Sequence, residues 1–143
     1  MDMPTLLINR LERALSRIAD KALKPAGITA SHLPVLVALK DGGKLTQKDL
    51  ATASEVEQPS MAQLLSRMER DGLIRREPSP TDKRSSVVSL TDLAMSRLDP
   101  GRQILRRIDD ETCSVLSDAE RKTLTILLHK LLVKLERDTP PSE

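Results

Sequence analysis

At 143 residues, with 31% charged and 38% apolar side chains, the chain is sized for one domain and composed like a helix-rich protein with well-hydrated surfaces. Its formal net charge of +2 is too small to argue for a polyanionic partner, so any basic footprint has to come from placement. Phe, Tyr and Trp are all absent, which counts against recognition of RNA or single strands by base stacking.

The core must therefore be packed from Leu, Ile, Val, Met and Ala. A single cysteine, Cys113, rules out an internal disulfide and fits a reducing compartment. No basic segment followed by an apolar run opens the chain, and no stretch approaches the roughly 18 continuous apolar residues of a membrane span. The expectation is a cytoplasmic protein with no membrane partner. His32 and His129 are too few for a dedicated zinc site, and neither metal nor cofactor is expected.

In chain order, residues 5–24 predict an amphipathic helix, with Ile8, Leu11, Leu15, Ile18 and Ala22 recurring at steps of three and four. Pro25 and Gly27 stop it. TASHLPVLVALK predicts a second helix capped by Thr29 or Ser31, with Pro34 in its first turn, and Asp41-Gly42-Gly43 ends it. LTQKDLATAS predicts a short third helix with Thr46 as N-cap and Asp49 three residues on. After the turn SEVEQ, Gln58 is expected at the cap and Pro59 at the first position of a fourth helix. That helix buries Met61, Leu64, Leu65 and Met68 and closes at Gly72.

LIRREP and SSVVSL have strand character around a polar tip, SPTDKR, and predict a β-hairpin. Thr91 caps a fifth helix starting at Asp92. Pro100-Gly101 predicts a kink or break in it, since an interior proline costs about 3 kcal/mol. Helical periodicity resumes at Ile104, Leu105 and Ile108. Cys113, between the fifth and sixth helices, is expected as a buried structural thiol. Ser117 and Glu120 form a capping box for a last helix carrying Leu124, Leu127, Leu128, Leu131, Leu132 and Leu135. The tail 139–143 is expected to be disordered.

Short helix, tight turn, second helix with a polar outer face and then β-hairpin is the order of a winged helix-turn-helix. In that arrangement the second helix enters the major groove with its N-terminal end, so its early outward residues meet base edges. Here those are Ser60, Ala62 and Gln63, with Gln58 and Pro59 at the helix start. Thr46 and Gln47 stand at the start of the preceding helix. Gln can pair bidentately with adenine. Arg67, one turn on, is placed for phosphate, and the wing tip carries Lys83 and Arg84 towards backbone or minor groove. The outline alone is not specific. Residues 44–91 hold eight Lys or Arg against seven Asp or Glu, a mixture that also suits a plain solvated surface.

From about Thr29 to Thr91 the sequence resembles the MarR family (multiple antibiotic resistance regulators). LTQKDLA matches the family's first helix-turn-helix segment, and EQPSMAQLLSRMERDGLI is similar to its recognition helix. RREPSPTDKRSSVVSLT resembles its wing signature, D-x-R followed six residues after the Arg by Leu-Thr. The resemblance implies that Arg84 reaches DNA and Asp82 braces the wing, with Ser60, Gln63 and Arg67 on the recognition helix. Ala94 stands where a Gly is common, and Pro100-Gly101 falls where the family has one long helix. Weaker similarity covers the flanking helices.

The expected fold is mainly α with a small β-hairpin wing: a winged helix-turn-helix over 29–103, dimerisation helices over 1–28 and 104–138. The resemblance implies a homodimer that reads a pseudo-palindromic double-stranded operator and is released by a small-molecule effector. The leucines of the last helix support the dimer independently, being more than one flank of a small domain readily covers. His32, Leu36 and Ile18 are the candidate effector-cleft residues, with a surface or capping role as the plainer reading of His32. Any such pocket would lack aromatic side chains. The rival reading is a winged helix used for protein contacts without sequence-specific DNA binding. Nothing points to an enzyme: there is no nucleophile with a paired His, no clustered carboxylates and no phosphate-cradling Gly loop.

Overall fold

The computed structural model describes residues 3–138, so the expectation for the tail 139–143 lies outside the described residues. Two compact units are present, one running to Leu105 and one starting at Arg106. In the first, α1 spans Pro4–Leu23, begins with proline in its first turn, and buries Ala19 and Leu23. A single 3-10 turn, Lys24–Ala26, follows, and Gly27 ends it at φ 76, a left-handed conformation that glycine enters without a Cβ penalty. A second 3-10 turn, Ala30–His32, leads into α2, Leu33–Ala38. The expected second helix is thus a hybrid, with Thr29 as the cap and Pro34 in the opening turn of its α segment.

Helix α3 (Gln47–Ser54) and helix α4 (Gln58–Arg70) come next. The apolar stripe Met61, Leu64, Leu65 and Met68 of α4 is buried as its spacing predicts. It meets Leu36, Leu39 and Leu50 in an all-aliphatic core that α2, α3 and α4 share. Strands β1 (Ile74–Pro78) and β2 (Ser86–Leu90) pair antiparallel, with Ile74 opposite Leu90 and Pro78 opposite Ser86. Leu45, just ahead of α3, adds a bridge to this hairpin: Val88 N–H donates to Leu45 O at 2.7 Å, and Leu45 N–H donates back at 3.1 Å.

Thr91 joins the hairpin to α5, Asp92–Thr112. Its hydroxyl accepts from Ala94 N–H at 3.2 Å and donates to Gly72 O at 2.6 Å, while its own N–H donates to Leu73 O at 3.1 Å. Ala94, the departure from the family's glycine, is fully buried.

Helix α5 is not broken at Pro100-Gly101; it runs continuously from Asp92 to Thr112. A proline forfeits one rung of the ladder, and tertiary packing holds the helix across the gap. Gly101 is buried where α5 approaches Ile28 so closely that a Cβ would collide with Ile28 Cδ1 and stand 3.5 Å from Leu33 Cδ2. The dipeptide that reads as a stop signal is a point of close approach.

In the second unit, a 3-10 turn at Cys113–Val115 precedes α6, Asp118–Asp138. The Ser117–Glu120 capping box forms as expected, with Glu120 N–H donating to Ser117 Oγ at 3.1 Å and Ser117 N–H donating to Glu120 Oε1 at 3.0 Å. The Ser117 N–H bond to the Glu120 carboxylate, and after it the Ser117 hydroxyl beside that carboxylate, hold the Glu120 carboxyl below the usual carboxylate range. Arg121 Nη2 reaches Asp109 Oδ2 at 2.5 Å and Asp110 Oδ1 at 3.0 Å, linking the start of α6 to the end of α5. Cys113 is half-buried rather than buried, because its 3-10 turn lies outside any apolar core. No helix among the described residues is long and apolar enough to cross a membrane.

The Gly101 contact is checked by a double-mutant cycle. Gly101→Ala gains about 1 kcal/mol of helix propensity and loses about 1–3 kcal/mol to overpacking against Ile28. In an Ile28→Val background, which removes the colliding Cδ1, the same change is expected to stabilise. Denaturant unfolding should report a coupling of about 1 kcal/mol or more.

Candidate nucleic-acid interface

The reading elements are set by local chemistry at each helix start. Thr46 caps α3: its hydroxyl accepts from Asp49 N–H at 3.1 Å, and Asp49 Oδ2 accepts from Thr46 N–H at 3.4 Å. Its hydroxyl oxygen is thus engaged as the cap acceptor, while the O–H can still donate. α3 ends at Glu55 with φ 56, the one non-glycine residue at positive φ among the described residues. Forcing an L side chain into that region costs roughly 1–2 kcal/mol, so the sharp turn into α4 is held against local preference. Val56 N–H donates to Ala51 O at 3.1 Å and closes the turn.

Helix α4 starts one residue earlier than the sequence suggests. Glu57 takes the N-cap position with no side-chain cap bond, Gln58 is the first helical residue and Pro59 the second. Proline is tolerated there as well, since the amides of a first turn have no intrahelical partner. Gln47 ties the two helices together, its Nε2 donating to Gln58 O at 3.4 Å. Beyond this point Ser60, Gln63 and Arg67 are exposed on one side of α4, opposite the buried stripe, while Ala62 is half-buried at its edge.

The wing tip is folded on itself. Ser79 N–H donates to Ser85 O at 3.0 Å, and Ser79 Oγ accepts from the amides of Thr81 and Asp82, each at 3.3 Å. Asp82 Oδ1 accepts from Arg84 N–H at 2.9 Å, and Asp82 O accepts from Ser85 N–H at 3.2 Å. The carboxylate thus shapes the backbone that carries Lys83 and Arg84, and both of these side chains are exposed.

Charge placement explains how a near-neutral segment presents a basic surface. Of its carboxylates, Glu69, Asp71 and Glu77 stand in ion pairs with Arg76, Arg70 and Lys44. Asp49 and Asp82 accept backbone N–H groups, while Glu55 and Glu57, exposed in the turn between α3 and α4, form no ion pair among the described residues. Among the described residues Lys48, Arg67, Arg75, Lys83 and Arg84 form no ion pair. Sequence reasoning had not singled out Arg75, exposed on β1, nor the pair Lys44–Glu77 at 2.9 Å that joins the segment before α3 to the hairpin. Alternation along RREP was the signal for Arg75; nothing local signals a pair 33 residues apart.

The three cleft candidates differ in their surroundings. Leu36 is fully buried in the core and offers no surface to a ligand. Ile18 is exposed on α1, and His32 is buried, with 8% of its surface accessible. His32 does cap, its Nδ1 accepting from Thr29 N–H at 3.1 Å, and it is not a surface residue. A shallow groove of about 440 Å³ runs along α1 between Leu7, Leu11, Ala14 and the arginines 10, 13 and 17, and none of the three candidates lines it. Among the described residues no three His, Cys, Asp or Glu are placed to hold a metal ion.

Residues 26–85, from the 3-10 turn after α1 through the wing tip, match the model of the MarR family. A protein assigned as the transcriptional regulator of the hcr operon in Thauera aromatica is 34% identical over 127 residues, spanning 89% of this chain and 76% of that protein. The chain belongs to the MarR family. MarR-family members of known structure share its architecture. A mutant MarR from E. coli in complex with operator DNA superposes with a TM-score of 0.82 at 27% identity, covering 90% of this chain and 92% of that one. The S. aureus MepR–DNA complex gives 0.83 at 28%, covering 94% and 99%. As a MarR-family protein it is a transcriptional regulator and not an enzyme.

The cap that starts α3 is testable without DNA. Thr46→Ala should lower stability by about 1 kcal/mol in denaturant unfolding, while Thr46→Ser, which keeps the acceptor, should cost little.

Proposed function

We propose that the protein is a dimeric, cytoplasmic repressor that binds a pseudo-palindromic site in double-stranded DNA. The observation that carries this reading is the pairing of an exposed Ser60–Gln63–Arg67 face on α4 with a wing tip whose basic residues are braced and unpaired. The major groove admits an α-helix, and an arginine-tipped hairpin suits the neighbouring minor groove or backbone. Two structural neighbours are themselves DNA complexes, and a relative from Pseudomonas putida, 28% identical over 127 residues, is the transcriptional repressor NicR. In this reading Gln58, Pro59, Ser60 and Gln63 approach base edges, Arg67, Thr46 and Gln47 face the backbone, and Lys83 and Arg84 form the wing contact.

The dimer is inferred from α6. Ile126, Leu127, Leu131, Leu132, Val133 and Leu135 are all exposed in the single chain, and no residue of α6 is buried. Covering each such side chain is worth about 1.5–3 kcal/mol, so a second copy offers a large gain. On this reading the terminal helices, 1–28 and 104–138, carry the subunit contact. An effector would act by holding the two reading heads at a spacing that fits DNA less well.

Footprinting on the DNA flanking its gene tests the whole reading, because protection of two half-sites about one helical turn apart reports binding and two-fold symmetry together. Arg84→Ala is expected to weaken binding to both the specific site and A·T-rich duplexes, whereas unchanged affinity rejects the wing contact. Gln63→Ala should relax preference at one base position at a cost of roughly 1–3 kcal/mol; uniform loss across sequences would mean that it only orients α4. Leu131→Glu is expected to yield a monomer in sedimentation, and a persistent dimer would move the interface elsewhere.

A further inference from the structure

We propose that His32 is a positioning residue for DNA binding: kept neutral, it closes a cap beneath the recognition helix, and protonation opens that cap and weakens binding. This rests on the DNA-binding reading above. The residue itself takes no part in the face assigned to DNA. Its turn, Ala30–His32, packs against α1 on one side and α4 on the other. Any change in the turn is therefore felt by the helix that carries Ser60, Gln63 and Arg67.

The geometry assigns the protonation state. Thr29 N–H donates to His32 Nδ1 at 3.1 Å, so Nδ1 must carry a lone pair and the proton of the neutral ring sits on Nε2. The ring occupies the place that Gln or Glu takes in a capping box, three residues after the cap and turned back on its amide. Protonation converts the acceptor into a second donor, which faces the Thr29 amide with nothing to offer it. The turn's remaining ties do not replace that bond: Asp20 Oδ1 accepts from Ala30 N–H at 3.0 Å, and the Thr29 hydroxyl pairs with Ser31 Oγ at 2.8 Å.

The surroundings decide against the charged ring. His32 is buried, and the charged groups facing it are Asp20 from α1, Arg67 and Asp71 from α4, and Arg97 from α5. Burial is the largest influence and pushes the imidazole below its ordinary value; Asp71 and Asp20 work against that, while Arg67 and Arg97 reinforce it. Arg97 is itself anchored, its Nη1 donating to Gly27 O at 2.9 Å, so one positive charge is fixed close by. The folded state takes up the proton less readily than the unfolded chain. The cap's contribution is therefore complete above the ordinary histidine range and falls as the pH drops through it towards the folded value.

The chain's two histidines make the test selective, because between pH 5.5 and 7.5 few other side chains titrate. His32→Gln supplies a capping-box acceptor that does not titrate, and His129→Gln, checked for an unchanged sedimentation coefficient, separates out the chain's other histidine. The probe is the duplex most enriched by the wild-type protein from a random pool at pH 7.5, with a scrambled duplex beside it. Wild type and His129→Gln are expected to lose specific affinity relative to His32→Gln only as the pH falls below the ordinary histidine range, where the folded ring takes up its proton, and all three match at pH 7.5. The same difference should appear in thermal unfolding without DNA.

In the wild-type protein the Thr29 amide should lose hydrogen-exchange protection in step with affinity. Equal pH profiles for wild type and His32→Gln overturn the proposal. So does a Thr29 amide that stays protected while affinity falls, which also decides the matter if His32→Gln does not fold. If no duplex is enriched but the unfolding difference persists, the DNA-binding reading fails and the neutral cap survives it.

Discussion

Three hydrogen bonds at Thr91 hold α4, the hairpin and α5 in register. Its hydroxyl takes the Ala94 amide and gives its proton to Gly72 O, and its own amide goes to Leu73 O. One residue thereby binds the exit of α4, the closing end of the hairpin and the first turn of α5. A threonine suits this place because a hydroxyl both donates and accepts, and β-branching restricts its rotamers. Were these bonds lost, the angle between recognition helix and wing would rest on the aliphatic packing around Met68, Leu73 and Val88.

That packing is itself constrained. With no aromatic residue in the chain, every large buried side chain is Leu, Ile, Val or Met apart from His32, and each must be covered by close approach of backbones. Gly101 against Ile28 is the clearest instance, and the bridge from Leu45 to Val88 brings the segment before α3 onto the hairpin in the same way. The two hydrogen bonds of that bridge tie the segment before α3 to the hairpin.

The arrangement also sorts charge. Carboxylates near the hairpin are paired with Lys44, Arg70 and Arg76 or turned onto backbone amides, and Arg67, Arg75, Lys83 and Arg84 are left without ion pairs. Exposed pairs of this kind add little stability. Their effect is to leave the unpaired basic side chains at the wing tip and on the outer face of α4, while the unpaired Glu55 and Glu57 lie in the turn between α3 and α4.

Much of this protein was legible in its sequence, and for a common reason. The capping box at Thr46–Asp49, the box at Ser117–Glu120, the stripe on α4, the Thr91 cap and the Asp82–Arg84 turn all depend on residues within four positions of one another. Local geometry determines those contacts wherever the helix or turn forms. The motif spacing around them was enough to identify the family.

Only the tertiary structure decided the rest. Pro100-Gly101 reads locally as a kink or break, yet α5 is unbroken there, and its glycine lets Ile28, more than 70 residues earlier, approach at close range. Leu36, a cleft candidate by pattern, is core because α3 packs against α2. Cys113 was expected to be buried and is half-exposed, since no apolar layer covers its turn. His32 became a buried cap with a suppressed charge only when α1, α4 and α5 surrounded it. Burial and long-range charge depend on which distant residues meet, and no spacing along the chain encodes that.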